Sequence, residues 1–154
     1  MGPNPTDRGK NGVKRSLVVE AAGGPLGAVT DAANVHDAKL LKQTLEAIVV
    51  KRPRPSLHQP QHLCLDKGYD NPSGRAAANE CGYTPHIRRI GEEKLDARGR
   101  KRYPARRWVV ERTLGWLSKC RAIVIRYDKH ASNYLGLIQL GCALLWYRRL
   151  DVLR

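Results

Sequence analysis

The stretch that decides the fold is HLCLDKGYDNPSGRAAANECGYTPHIRR, residues 62–89. Its apolar start predicts a strand that ends at Asp66, and a turn then leads into an Ala-rich helix from Ser73. Gly82 is placed to end this helix, and residues 84–89 are predicted as the next strand. Strand, helix and strand at this spacing predict a βαβ unit. Asp66 would then lie at the carboxyl end of a strand, where open α/β sheets bind their ligands.

Upstream of this unit the chain predicts a flexible segment over residues 1–13, which is rich in Pro, Gly and Asn. Two β-prone runs at residues 14–20 and 26–30 flank Gly23 and Gly24 and predict a hairpin. Asp37 is placed to cap a helix with leucines at helical spacing. We therefore expect one α/β domain over residues 14–154, because 154 residues with 42% hydrophobic content can form one core.

Two further helices are predicted downstream. Residues 104–119 contain Glu111, with Val110, Leu114 and Leu117 on one face. Residues 131–147 form the most apolar segment, but polar residues interrupt it and it is shorter than the roughly 20 residues of a membrane span. We expect it to be a core helix whose apolar residues surround it almost completely, and we expect no membrane association.

The charge of the chain indicates a polyanionic partner. The sequence has 28 Lys and Arg against 14 Asp and Glu, a net charge of +14. Residues 88–107 alone carry nine Lys or Arg against three acids. This segment is typical of a solvated loop, and the same loop could order on a phosphate backbone. Such binding is strong at low salt and independent of base sequence.

The cysteines are scattered, and they predict reduced thiols in a cytoplasm. Cys64, Cys81, Cys120 and Cys142 form no CxxC pair, and no signal peptide opens the chain. His62 and Cys64 could share a metal in principle, but alternate residues of one strand without a second ligand pair are more often ordinary packing. The sequence therefore predicts no zinc site.

Asp66 and Glu111 are the candidate catalytic and metal-binding carboxylates. Carboxylate oxygens suit Mg²⁺, and two such ions about 4 Å apart can clamp the attacking and leaving oxygens of a phosphodiester. Each residue also has a plain structural interpretation. Asp66 could form an Asx turn before Lys67, and Glu111 could form a surface pair with Arg107, which spacing alone favours.

Four motifs decide between these interpretations. They are Ala33-Asn-Val-His-Asp37, Asp66-Lys-Gly-Tyr-Asp70, Val110-Glu-Arg-Thr-Leu-Gly-Trp116 and Arg126-Tyr-Asp-Lys129. Together, and in this order, they closely resemble bacterial insertion-sequence transposases of the DDE type. The resemblance extends from about Pro5 to Trp146.

The resemblance implies an RNase H-like catalytic domain in which three acids bind two Mg²⁺ ions and cut and rejoin DNA ends. Asp66 is similar to the second acid of the family and Glu111 to the third. A Tyr, Arg, Glu, Lys signature surrounds the last acid in this branch. Here Tyr103, Arg107 and Lys119 are the matching DNA-binding candidates, although Tyr103 and Lys119 are each one residue farther out than the family interval. Arg112, in the same arginine-rich helix, is a further candidate phosphate contact.

The family's first acid has no counterpart in this sequence. It lies on a strand before the segment similar to residues 5–10, and neither Asp31 nor Asp37 matches its position. We therefore expect an RNase H-like domain that is incomplete at its N-terminal strand, as in a downstream reading frame or a decayed fragment. Such a chain should bind DNA without cutting it until a strand bearing an Asp is supplied.

The sequence thus predicts a transposase catalytic portion that binds double-stranded transposon and target DNA and supplies two of three metal-binding carboxylates. We expect a homo-oligomer on DNA in the bacterial cytoplasm, associated with the nucleoid, with an upstream-frame polypeptide as a further partner. Two alternatives stay open, a non-catalytic basic DNA-binding fragment and an RNase H-like nuclease of repair or RNA processing.

Overall fold

The chain contains both strands and helices, which confirms the mixed α/β class. The computed structural model describes residues 1–53, 55–56, 58–87 and 108–150. The predicted basic segment 88–107, with Tyr103 and Arg107, lies outside them. The elements are β1 (Gly2–Pro3), β2 (Asn11–Val19), β3 (Pro25–Ala32), α1 (Asp37–Glu46), β4 (Gln61–Leu65), a 3₁₀ turn (Lys67–Tyr69), α2 (Pro72–Glu80), β5 (Tyr83–Ile87), α3 (Trp108–Leu117), α4 (Arg121–Val124) and α5 (Ala131–Arg149).

The predicted hairpin is confirmed as the antiparallel pair β2 and β3. Its register runs from Val13 opposite Ala32 to Val18 opposite Gly27, with a bulge between Val18 and Val19. The chain reverses over residues 20–24, where Gly23 has a φ of +94°. Glycine adopts this left-handed conformation without the steric cost that a Cβ would add.

The N-terminal residues form a short β-ribbon where the sequence predicts a flexible segment. Gly2 and Pro3 of β1 pair with Gly12 and Asn11 of β2. Asn4 organises the intervening turn, because its Oδ1 accepts hydrogen bonds from the amide and the hydroxyl of Thr6 at 3.1 and 2.8 Å. The boundary predicted after residue 13 consequently falls inside β2.

The N-cap of helix α1 is one residue earlier than predicted. His36, in extended conformation, is the N-cap, and its Nδ1 accepts a hydrogen bond from the Ala38 amide at 3.2 Å. Asp37 is the first helical residue, and its carboxylate forms an ion pair with Lys14 Nζ at 3.0 Å. The cap prediction was wrong because the ring nitrogen of the preceding His36 supplies the acceptor that an Asp usually provides.

The βαβ unit is confirmed. Strands β4 and β5 are parallel, with Gln61 opposite Tyr83 and Leu65 opposite Ile87. The crossover helix α2 is capped by Asn71, whose Oδ1 accepts from the Gly74 amide at 2.8 Å, and it ends before Gly82 at a φ of +78°. One core cluster joins this unit to α1 and consists of Leu41, Leu45, Leu65 and Ala78.

The second core cluster packs the C-terminal helices against the hairpin. It consists of Ala28, Leu117, Ile123, Tyr134 and Ile138. The prediction that α5 is a core helix buried on nearly all sides was wrong. Leu135, Cys142 and Leu145 pack against the cluster, but Leu140, Leu144 and Tyr147 are 58%, 47% and 40% exposed. Among the described elements, α5 packs mainly against β3, α3 and α4. No helix in the described ranges is long and apolar enough to cross a membrane.

Ile138→Ala should lower the free energy of unfolding by about 2–5 kcal/mol, because it removes a side chain that is only 2% exposed and leaves a cavity. Leu140→Ala, two residues along the same helix, should change it by less than about 0.5 kcal/mol. Urea denaturation measures both. Equal losses from the two variants would show that the exposed side of α5 is covered in solution.

Candidate functional site

Asp66 lies where the sequence places it, directly after β4. Its side chain is exposed and caps the 3₁₀ turn, and its Oδ1 accepts a hydrogen bond from the Gly68 amide at 2.7 Å. Within the described residues Oδ2 has no hydrogen-bond partner. The Asx-turn interpretation is therefore correct as local geometry. It leaves the second carboxylate oxygen available to a ligand.

Two carboxylates act on the phenol of Tyr69, in the same turn. Burial raises the pKa of Tyr69 to about 12, and the negative charges of Asp37 and Asp66 add to this shift. The side chain of Tyr69 packs against the cluster formed by α1, β4 and α2. The start of α1 and the turn after β4 therefore lie close enough for both carboxylates to act on this phenol. Sequence analysis missed this, because Asp37 and Asp66 are 29 positions apart.

Glu111 lies on the exposed side of α3, in its first turn. Among the described residues it has no hydrogen-bond or ion-pair partner, and its predicted neighbour Arg107 lies outside them. The buried residues of α3 are Val109, Thr113 and Leu117, at intervals of four. At Gly115, no described atom beyond its neighbouring residues and the local helix backbone lies within 4 Å of the position that a Cβ would occupy.

Helix α3 is held by two hydrogen bonds to the turn between β2 and β3. Thr113 has no exposed surface, and its hydroxyl donates to the Gly23 carbonyl at 2.7 Å while also lying 3.1 Å from the Val109 carbonyl. Arg112 Nη2 donates a short hydrogen bond to the Ala22 carbonyl. The predicted DNA contact Arg112 thus has an intramolecular partner.

The guanidinium of Arg112 also lies between two indole rings of its own helix. It is 4.6 Å from the ring centre of Trp108 and 4.9 Å from that of Trp116. Its Nε is buried and has no hydrogen-bond partner among the described residues. An unpartnered buried donor costs about 1–3 kcal/mol, so the other contacts of Arg112 must offset this loss.

Arg149, at the end of α5, continues the same stack. Its guanidinium lies 5.5 Å from Trp116 and 5.8 Å from Trp146. Arg149 donates to the Ala22 carbonyl at 2.6 Å and to Glu20 Oε1 at 2.9 Å. We call these five side chains the Trp–Arg stack: Trp108, Arg112, Trp116, Arg149 and Trp146. The i, i+4, i+8 spacing of Trp108, Arg112 and Trp116 could have indicated its first half.

Lys119, the remaining described candidate for DNA contact, is exposed just after α3. Its backbone amide donates to the Trp116 carbonyl at 3.1 Å, which continues the helical turn. Its side chain therefore begins at the C-terminal end of α3 and is exposed to solvent. This placement is compatible with a phosphate contact.

The described residues contain no group of three or more His, Cys, Asp or Glu side chains that could hold a metal ion. Asp66 and Glu111 are carried by elements with different neighbours. The turn after β4 packs against α1 and α2, whereas α3 packs against β2 and α5. The exposed face of β4 and β5 also brings His62 and His86 together, with 2.6 Å between Nδ1 and Nε2. Sequence analysis did not place His86 beside His62.

Comparison with known proteins identifies relatives over nearly the whole chain. The family model of the transposase DDE domain matches residues 2–146. A protein assigned as the transposase for insertion sequence element IS402 of Burkholderia cepacia is 36% identical over 151 residues, which cover 97% of this chain and 69% of that protein. No solved structure matches the chain.

Glu20→Gln should destabilise the fold at pH 7 by about 1–2 kcal/mol, because Glu20 accepts from the Ala22 and Gly24 amides, at 2.6 Å each, and from Arg149. Burial by itself raises the pKa of Glu20, but these hydrogen bonds outweigh it and hold the pKa below its ordinary value of 4.5. The carboxylate therefore stabilises the fold above that value, and the stabilisation is lost as pH falls through the lowered pKa.

Denaturation of wild type and Glu20→Gln at pH 7 and at progressively lower pH measures this effect. The difference between them should begin to shrink below about pH 4.5. Glu80→Gln, which removes an exposed ion pair with Lys42, is the control and should change little. A difference independent of pH would mean that the charge of Glu20 does not hold the turn.

Proposed function

The chain belongs to the DDE transposase family, and we propose that it acts in DNA transposition by cleaving and transferring DNA strands through an RNase H-like catalytic domain over residues 14–154. The observation that carries this proposal is the position of Asp66, exposed at the carboxyl end of a strand in a parallel βαβ unit, within a chain that matches the family model. The partner that we propose is double-stranded DNA at the transposon ends and the target.

The arrangement of strands supports an RNase H-like sheet. The hairpin and the pair β4 and β5 belong to two separate sheets. Among the described residues, the edge of β2 that faces away from β3 pairs only with β1, through Asn11 and Gly12. In the described part of the chain, strand β4 pairs only with β5. Helix α1 packs against β2, β3 and α2 and so joins the two sheets. One further strand between β2 and β4 would unite them, and the family's first acid would lie on that strand.

Asp66 and Glu111 are the proposed catalytic and metal-binding residues. Both are exposed carboxylates, and hard oxygen ligands of this kind fit Mg²⁺. Bound divalent ions would supply the activated water and the charge stabilisation that phosphodiester cleavage requires. Asp66 is oriented by its hydrogen bond to the Gly68 amide, and Glu111 is oriented by the packing of α3.

The residues that we propose to bind DNA are Tyr103, Arg107 and Lys119, together with the positive charge of residues 88–107. The described part of the chain offers two exposed cations, Lys67 directly after Asp66 and Lys119 just beyond the C-terminal end of α3. Phosphate contacts of this type position a duplex without reading its bases. Assembly as a homo-oligomer on DNA stays a prediction.

A second candidate is a DNA-binding polypeptide without catalysis. The absence of a three-ligand group among the described residues favours it. The positive charge explains binding in both cases, so binding alone does not separate the two functions. Metal-dependent cleavage separates them.

The chain should bind duplex DNA with an affinity that falls about 100-fold between 50 and 200 mM salt, as expected for roughly four phosphate contacts. Fluorescence anisotropy with two unrelated duplexes measures this fall and should show little difference between them. Lys119→Met should reduce the slope of log affinity against log salt by about one. A salt-independent affinity would contradict phosphate-dominated binding.

Asp66→Asn and Glu111→Gln should each reduce metal-dependent cleavage of element-end DNA by more than about 100-fold, because each removes a charged oxygen ligand. Glu80→Gln, an exposed carboxylate of α2, is the matched control and should cleave like wild type. The assay is run on the chain itself and on the chain joined to an N-terminal strand that bears an Asp. Normal cleavage by either site variant would remove that residue from the site, and the lack of cleavage by both wild-type forms would favour the non-catalytic candidate.

A further inference from the structure

We propose that Arg112 is a positioning residue, which fixes the rotation of α3 about its axis and thereby the direction of the Glu111 carboxylate. The proposal rests on the proposed function of Glu111 and differs from the phosphate contact that charge alone suggests for Arg112. Three observations support it: the Trp–Arg stack, the hydrogen bonds to the turn between β2 and β3, and the angular order of side chains around α3.

The angular order separates Glu111 from the packed face of α3. Successive residues of an α-helix are rotated by about 100°. The buried residues Val109, Thr113 and Leu117 share one side, and Glu111 points away from it into solvent. Arg112 and Trp116 lie between these two sides. Contacts made by Arg112 therefore restrict rotation of the helix about its axis. The burial of Val109 and Leu117 restricts this rotation less than those contacts do.

The hydrogen bonds of Arg112 and Thr113 reach two neighbouring carbonyl groups of one turn. Arg112 donates to Ala22 and Thr113 to Gly23. Two adjacent helical residues bound to two adjacent carbonyls define an angle as well as a distance. Arg149 donates to the same Ala22 carbonyl, so α5 holds the turn from its other end.

The glycine at position 23 lets the guanidinium of Arg112 approach the turn closely. A Cβ at that position would lie 2.9 Å from Arg112 Nη2 and 3.1 Å from the Thr113 hydroxyl. The same residue has a positive φ, which other residues rarely adopt. The backbone of the turn is thus fitted to Arg112 and Thr113 at close range.

A small rotation of α3 would move the carboxylate by a distance that matters for catalysis. Side-chain atoms lie about 5–6 Å from a helix axis, so a rotation of about 20° displaces them by about 2 Å. A displacement of about 1 Å can reduce an enzymatic rate about 100-fold. Glu111 has no partner among the described residues to hold it independently, so its direction follows the rotation of α3.

The test compares Arg112→Met and Arg112→Lys with Arg121→Met, which removes an exposed positive charge from the start of α4. Residual dipolar couplings of the α3 amides measure the orientation of the helix relative to β2 and β3. We expect Arg112→Met to change these couplings while α3 remains helical, Arg112→Lys to change them less, and Arg121→Met to leave them unaltered. Trp108, Trp116 and Trp146 are the three tryptophans of the sequence, so the emission spectrum should shift only in the Arg112 variants.

DNA affinity and cleavage complete the test. Positioning predicts a salt slope of DNA binding that is unchanged in Arg112→Met. In the chain joined to an N-terminal strand that bears an Asp, it predicts a cleavage rate at saturating DNA that is about 100-fold lower in Arg112→Met, with partial recovery in Arg112→Lys. Unaltered dipolar couplings would overturn the proposal, and so would a salt slope reduced by about one, which indicates a phosphate contact. Cleavage by Glu111→Gln would instead refute the proposed function of Glu111, while the couplings would still report whether Arg112 sets the rotation of α3.

Discussion

The turn between β2 and β3 holds the C-terminal helices α3 and α5 in place through hydrogen bonds. Its carbonyl groups accept hydrogen bonds from two helices at once: Arg112 and Thr113 of α3 donate to Ala22 and Gly23, and Arg149 of α5 also donates to Ala22. Trp146 of α5 donates from Nε1 to the carbonyl of Pro25, at the start of β3, at 2.6 Å. A reversing chain exposes carbonyl groups that no strand neighbour satisfies. Here the helices satisfy them, so the helices and the hairpin determine each other's position.

The rest of the molecule is organised by α1, which lies between two cores. Its leucines pack with β4 and α2 in one cluster, while Thr44, only 2% exposed, lies 2.7 Å from the Ser16 hydroxyl of β2. The second cluster, around Ile138, joins the hairpin to α3, α4 and α5. Asp66 therefore depends on α1 and α2 for its position, whereas Glu111 depends on the hairpin turn and α5. The hairpin and α1 are the physical connection between the two carboxylates.

Local chemistry made part of this predictable. Gly23 in the hairpin turn and Gly82 after α2 adopt the positive φ that glycine favours at turns and helix ends, and the apolar run before Asp66 has the length of a strand. The register of β4 against β5 and the exposure of Leu140 and Tyr147 were not predictable in this way. Hydrophobic periodicity gives the faces of an element and leaves open which of them acquires a neighbour.

The hydrogen bond of Arg112 to the hairpin turn could not be predicted from the sequence, although the spacing of Trp108, Arg112 and Trp116 could have indicated its ring contacts. Its acceptor, the Ala22 carbonyl, is 90 positions away, and a backbone carbonyl leaves no residue-type pattern to detect. An arginine next to a candidate catalytic acid in a chain of net charge +14 suggests DNA contact first. In the structure the positively charged guanidinium of Arg112 packs between the rings of Trp108 and Trp116.

The two candidate acids differ in how firmly they are held, and this difference has a consequence for the site. One oxygen of Asp66 is fixed by an amide two residues along the same turn, so its orientation is set by local backbone. Glu111 has no such bond among the described residues, so α3 sets only the direction from which its side chain projects. A ligand shared by both would therefore meet a preorganised carboxylate at Asp66 and would have to order the one at Glu111. Because ordering a side chain opposes binding, any contact that restricts α3 in advance lowers that cost. In the described structure, the Trp–Arg stack provides contacts that restrict α3 before a ligand binds.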